Sequence, residues 1–403
     1  NRIKKKPGAK NFRLIFLTEE YMALQFILGP SGAGKSEYIY EDIIRRTMQD
    51  ERENVIVLVP EQYSLEIQRK LVQKHPRGGS FQIDVIGFNR LAYRIFDELH
   101  IKPKKVLEDF GKSMLLRKAA QEHKEELSLY AGSLDKAGFI DEAKSLMSEI
   151  YQYDIPRERL REALQKLDDS EEARVLARKL QDMLVIFDAF EEKKGQSFIV
   201  AEQMLELLTA AAEQSELIAG SEIVLDGFTG FTPTQYDLLK VLMKAGSQMY
   251  VTVTTDRTGR RRGVFSLSQQ VMKKMAKLAE ETGTEIQPVV TLGRGEEKAP
   301  FRQEEGSELA FLEKNIFAHR YETWKEAPED IDIRVCKRGQ DEAAFAARTI
   351  DRLVETEGYQ YEDIAVVVGQ IKDYEQALAR EFHRLNIPFF MDYKKSMGAN
   401  ALA

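Results

Sequence analysis

Eight consecutive residues, Gly29-Pro30-Ser31-Gly32-Ala33-Gly34-Lys35-Ser36, carry the strongest chemical signal in the chain. They fit G-x-x-x-x-G-K-[ST]. In that spacing the glycines let backbone N–H groups curl around phosphate oxygens, the lysine reaches the β- and γ-phosphates, and the hydroxyl meets Mg2+. Average residue usage makes a chance match rare, about 0.01–0.02 for a chain of this length. The plain alternative is a glycine-rich turn that binds nothing. The context favours the chemistry, because the apolar run Leu24–Leu28 precedes the loop and Glu37–Gln49 follows it. Within that second stretch Ile39, Ile43, Ile44 and Met48 fall on one helical face.

Hydrolysis of a bound triphosphate needs an acidic residue to hold the metal and a group to orient water. Asp226 ends the buried-type run Ile223-Val224-Leu225 and is the candidate to hold Mg2+ with Ser36; it could equally just open the turn before Phe228. Gly227 comes next and has no side chain to act on water. Among weaker candidates, Arg257, Arg260, Arg261 and Arg262 could meet phosphates or be a solvated loop. Tyr63, Phe88, Tyr93 and Phe228 could stack on bases or belong to a core. The five histidines show no ligand spacing.

The elements that must position these residues read as α/β. Val55–Val59 is a continuous apolar run, β-branched except at Leu58, typical of a strand buried on both faces, and Pro60 ends it. Ser64 is expected to cap a helix carrying Leu65, Ile67, Leu71 and Val72. Gln82–Ile86 is the next strand and Arg90–Leu99 the next helix; alternation of this kind means a parallel sheet. Residues 103–215 are helix-rich, with Leu176, Leu180, Met183, Leu184 and Phe187 on one face and a break at Tyr151–Pro156. Strands return at Ile223–Leu225 and Val251–Thr255, and 291–308 reads as a solvated loop. Asp332–Val335 and Ile364–Val368 are expected strands flanking a helix over Asp341–Val354. The expected domains are an extension at 1–21, a sheet domain from 22–102 and 216–330, a helical insertion at 103–215, and the start of a second sheet domain at 331–403.

Composition narrows the class. The 403 residues carry 59 basic and 66 acidic side chains, a net charge of −7, and 43% are hydrophobic. No apolar run approaches the ~20 residues of a membrane span, so no membrane association is expected. One cysteine, Cys336, excludes an internal disulfide framework and any cysteine-cluster metal site, and points to a reducing, cytoplasmic setting.

From Asp226 onward the sequence resembles superfamily 1 helicases, whose second motif typically reads D-E-F-Q-D-T-x-P-x-Q. Residues 226–235 (DGFTGFTPTQ) keep the first Asp, the Phe, the Pro and the final Gln, and lack the catalytic Glu. Asp256, with no glutamine three residues on, is all that stands for the third motif. VIVLVPEQYSLEIQRKL (55–71) and DVIGFNRLAYRI (84–95) look like the DNA-contacting motifs, with Gly87 where Ser or His is commoner. Residues 331–350, 361–369 and 387–390 look like the opening of a second motor domain. The combination is most similar to the AddB family, over residues 22–403.

The resemblance implies a RecA-like fold with ATP and Mg2+ on Gly29–Ser36. It implies single-stranded DNA near Gln62, Tyr63, Ser64, Phe88 and Arg90, and a degenerate motor that scans for the Chi signal. It also implies a heterodimer with an AddA-type helicase–nuclease that resects double-stranded DNA ends, and a nuclease with a four-cysteine iron–sulfur cluster lying beyond this stretch. Two alternatives stay open: a competent superfamily 1 motor, and a small-molecule kinase built on the same phosphate loop.

Overall fold

The computed structural model describes residues 23–49, 54–168, 170–195, 197–256, 263–293, 302, 304 and 306–391. The expected extension at 1–21 and the cluster Arg257, Arg260, Arg261 and Arg262 lie outside the described residues. The chain divides into two compact units, residues 1–324 and 325–403.

The first unit is built on a parallel sheet. Strand β1 (Ala23–Gly29) leads through the glycine-rich loop into helix α1 (Lys35–Gln49), and β2 (Val55–Leu58) ends in a 3-10 turn over Glu61–Tyr63. Helix α2 (Ser64–Lys74), β3 (Ile83–Ile86) and α3 (Phe88–Glu98) follow. Ser64 does not cap α2: the 3-10 turn runs straight into the helix, and the Ser64 hydroxyl donates to Glu61 O at 2.9 Å. On α2 only Leu71 is buried, whereas Leu65 and Val72 are exposed.

A second layer comes next in the chain. Strand β4 (Lys105–Leu107), helices α4 (Asp109–Glu122), α5 (Ala137–Gln152), α6 (Arg157–Gln165) and α7 (Glu171–Lys194), and strand β5 (Phe198–Val200) form it. Strands β4 and β5 pair in parallel, a small sheet that helical periodicity does not reveal. Their core, including Leu116, Ile140, Met147, Ile186 and Phe190, is separate from that of the main sheet. Helix α8 (Gln203–Ala212), inside the stretch expected as an insertion, instead buries Met204, Leu208 and Ala211 in the main core.

The chain then returns to the large sheet through β6 (Glu222–Leu225), α9 (Pro233–Ala245), β7 (Gln248–Thr254), α10 (Ser266–Thr282), β8 (Glu285–Ile286) and β9 (Val290–Thr291); α11 (Glu308–Asn315) closes the unit. Strand order is β3-β2-β6-β7-β1-β8, with β9 also on β1, and every pair is parallel. Period-two alternation sorts the strands between two faces. Ile56 and Leu58 join Leu24, Phe26, Ile223 and Leu225 under α3, α8, α9 and α10. Val55, Val57 and Val59 join Ile27, Val85 and Val224 under α1 and α2. Each such side chain taken wholly out of water is worth about 1.5–3 kcal/mol. Burial on both faces is what fixes a RecA-like α/β sheet here.

In the second unit α12 (Gly339–Glu357) packs Ala343, Ala347 and Ile350 against Leu378 and Phe382 of α13 (Ile371–Arg384). The strands expected at Asp332–Val335 and Ile364–Val368 are not formed. Val335 is 96% and Val367 91% exposed. A β-branched run becomes a strand only where a neighbour completes its ladder, and none stands beside these segments among the described residues.

Candidate nucleotide-phosphate site

Parallel strands place all their carboxyl ends on one edge, and that edge gathers the candidate residues. Register puts Gly29 beside Thr254, and Leu58 beside both Ile86 and Leu225. The phosphate loop after β1, the turn after β2, the Gly87 turn after β3, Asp226 after β6 and Thr252 on β7 are therefore neighbours.

In the loop, Gly32 and Gly34 have φ of +80° and +79°, the left-handed values that curl a backbone round an anion. The chain closes on itself through Ala33 N to Pro30 O at 3.2 Å and enters α1 through Tyr38 N to Gly34 O at 2.8 Å. Lys35 bends back over the loop, its Nζ donating to Gly29 O at 3.1 Å and Pro30 O at 2.9 Å. Burial holds the Lys35 ammonium below its usual pKa; the Asp226 charge opposes this and Arg302 adds to it. A pocket of about 680 Å3 brings Lys35 and Arg302 together with Gly32, Ser36, Tyr40 and Asp226. Two cations beside a glycine-rich loop at a helix N-terminus suit a polyphosphate.

Arg302 carries no signal in the sequence, where 291–308 reads as a solvated loop. Its backbone N–H donates to Gly32 O at 3.2 Å, and its Cβ stands 2.8 Å from where a β-carbon on Gly32 would sit. Only glycine tolerates that approach. No spacing rule connects a residue 267 positions beyond Lys35 to this loop.

Asp226 is 4% exposed, and neutral hydroxyls occupy both its oxygens. Tyr40 Oη donates to Oδ2 at 2.5 Å and Thr252 Oγ1 donates to Oδ1 at 2.5 Å. Ser36 interacts with the same Tyr40 oxygen. Burial, then the Asp226 charge and hydrogen bond, raise the Tyr40 phenol far above its ordinary range, so it stays a donor. The phosphate side of the site therefore fits a nucleotide. The expected metal pair does not fit as expected: Ser36 and Asp226 line one pocket, but hydroxyls of Tyr40 and Thr252 already occupy both Asp226 oxygens. Tyr40 had a sequence signal, four residues after Ser36 on one helical face.

Gly227 has φ +78° and is exposed. The rest of that segment is structural. Thr232 caps α9, its Oγ1 accepting from Gln235 N at 3.3 Å, while Thr232 N donates to Gln235 Oε1 at 2.8 Å. Pro233 occupies the first helical turn, so the Pro and final Gln of the motif start a helix here.

Of the residues expected to meet DNA, Gln62 and Tyr63 are exposed on the 3-10 turn, Ser64 is half-buried at the start of α2, and Arg90 is exposed on α3. Phe88, also expected there, begins α3. It is 8% exposed, with its ring centroid 5.5 Å from that of Phe228, which lies 5.0 Å from Phe231. The Phe88 ring is engaged in this aromatic ladder. It fixes the Gly87 turn against the segment after Asp226.

Together these features define a RecA-like α/β unit whose glycine-rich loop and cationic pocket stand at the carboxyl edge of its sheet. The family model described as "ADDB, N-terminal" matches residues 26–313, and the chain belongs to that family. A Lachnoclostridium phytofermentans protein, named as a subunit of an ATP-dependent helicase/deoxyribonuclease, is 38% identical over 385 residues, covering 94% of this chain and 33% of that protein. Proteins of the same name from Clostridium acetobutylicum and Caldanaerobacter subterraneus subsp. tengcongensis are 33% and 32% identical, again over 94% of this chain and 33% and 32% of theirs. The chain spans about a third of the length of these curated relatives.

Proposed function

We propose that this chain is the nucleotide- and DNA-binding amino-terminal part of the AddB-type subunit of an ATP-dependent helicase/deoxyribonuclease that processes double-stranded DNA ends for recombinational repair. ATP would sit on Gly29–Ser36, its phosphates held by the loop N–H groups, Lys35 and Arg302. Single-stranded DNA would cross the same sheet edge past Gln62, Tyr63, Ser64 and Arg90. An AddA-type partner would carry the working motor, leaving this part to scan the strand for a signal sequence such as Chi. The nuclease and its iron–sulfur cluster would belong to the remaining length of the protein.

The observation that carries the reading is the contrast between the two halves of the site. Its phosphate-binding half is complete in residue type and backbone shape. Its water-activating half has a glycine at 227, in a left-handed conformation, where the motif has a carboxylate. Such a site holds nucleotide without turning it over.

Equilibrium binding tests it. The chain should bind a fluorescent ATP analogue and a single-stranded oligonucleotide, with Lys35→Ala removing only the first. Arg90→Ala with Gln62→Ala should weaken only the second. Failure of the wild-type chain to bind either ligand would refute the reading.

A further inference from the structure

We propose that the Tyr40 hydroxyl stands in for the metal at this site, so that the chain grips nucleotide through Lys35 and Arg302 with little help from Mg2+. The proposal rests on the reading of Gly29–Ser36 as a nucleotide site and adds how that nucleotide is held.

Position comes first. Tyr40 follows Ser36 by four residues on α1, so the two side chains share one helix face. The tyrosine is 3% exposed and packed in the core with Ile39, Ile43 and Val57, which leaves its ring no freedom and fixes its hydroxyl at the pocket wall. That oxygen donates to Asp226 Oδ2 at 2.5 Å and so already occupies the carboxylate expected to grip a metal.

Chemistry comes second. A carboxylate this buried is costly unless its lone pairs are satisfied. Tyr40 and Thr252 satisfy Asp226, one hydroxyl donating to each carboxylate oxygen. Asp226 thereby becomes a fixed acceptor within the protein. Mg2+ gives up its water reluctantly and needs near-ideal octahedral geometry. To use Asp226 it would have to expel an ordered hydroxyl and swing a buried ring. The charge of the phosphates is instead met by Lys35, which lies within electrostatic reach of Arg302.

The test is titration of the 403-residue chain with a fluorescent ATP analogue in Mg2+ and in EDTA, together with Mn2+ electron paramagnetic resonance of the ternary complex. Tyr40→Phe removes one oxygen and keeps the ring. Thr252→Val frees the other carboxylate oxygen and serves as a second variant. Wild-type affinity should change by less than about threefold between the two conditions, whereas each variant should gain a metal dependence of about tenfold or more as Asp226 is freed. In the variants the Mn2+ spectrum should also broaden as protein ligands enter its shell. Strong metal dependence in wild type, or metal indifference in both variants, would overturn the proposal while leaving the nucleotide site standing. Absence of wild-type binding in both conditions would overturn it together with the nucleotide reading.

Discussion

The Glu61 carboxylate fills the space that a β-carbon on Gly87 would need. Its Oε1 accepts the Asn89 N–H at 2.9 Å, so a side chain from the turn after β2 caps the helix that follows β3. The negative charge suits the positive end of α3. The two turns proposed to meet single-stranded DNA are thereby tied into one surface, and Gly87 stands where a side chain would break the tie.

Gly87→Ala should expel Glu61 from this seat and cost about 1–2 kcal/mol of stability, as the loss of a helix cap does. Glu61→Ala should cost a similar amount. Because both remove one contact, the double variant should cost little more than either alone. Denaturant unfolding measures this, and fully additive costs would contradict it.

Restoring the missing carboxylate at Gly227 should not restore a motor. The φ of +78° imposes about 1–2 kcal/mol on any residue with a β-carbon, so Gly227→Glu should lower the melting temperature. Its ATP turnover should stay at background, since Asp226 remains bound to Tyr40 and Thr252. Turnover above the wild-type rate in this variant would show that the carboxylate alone was lacking.

Removing Lys35 should separate nucleotide binding from unwinding. Lys35→Ala deletes a charge-assisted contact worth about 1.5–3 kcal/mol, or roughly 10- to 100-fold in ATP affinity. In the assembled complex with an AddA-type partner, unwinding should be barely reduced. A severe unwinding defect would mean that this site drives movement.

Asp182 offers a prediction in the helical layer. Buried on α7, it accepts N–H groups of Ser128, Leu129 and Tyr130 at 2.8–2.9 Å and the Ser128 hydroxyl at 3.1 Å. Burial is the largest influence and opposes the charge, but the four donors together hold the carboxyl below its ordinary value of 3.8. A folded-state value below the unfolded one means stability that is present above the ordinary pKa and is lost as pH falls through the folded value. Asp182→Asn should therefore cost about 1–3 kcal/mol near neutral pH, and the gap should narrow in acid. An equal gap at about pH 7 and about pH 2 in urea unfolding would contradict it.

The sheet is legible in the sequence because its signals are local. Val55–Val59 and Ile223–Leu225 are apolar runs too short for helices, and the loop between β1 and α1 carries its own spacing. The site is legible only where chemistry lies within a few residues of that loop or of Asp226. Arg302 reaches Gly32 through tertiary folding alone, whereas Tyr40 carries a signal only in its spacing, four residues after Ser36 on α1. The packing of Phe88 on Phe228 is not legible, because an aromatic residue beside a turn looks the same in sequence whatever it faces. Strands at 332–335 and 364–368 fail for a related reason: a residue's β preference is written locally, but its ladder partner is not.

ATP turnover by the wild-type chain, measured with and without single-stranded DNA, tests the account most directly. Nucleotide should bind and survive, with turnover at background and unchanged by saturating DNA. DNA-stimulated hydrolysis at about one per second or faster would be ordinary catalysis and would make this a working motor, contradicting the account.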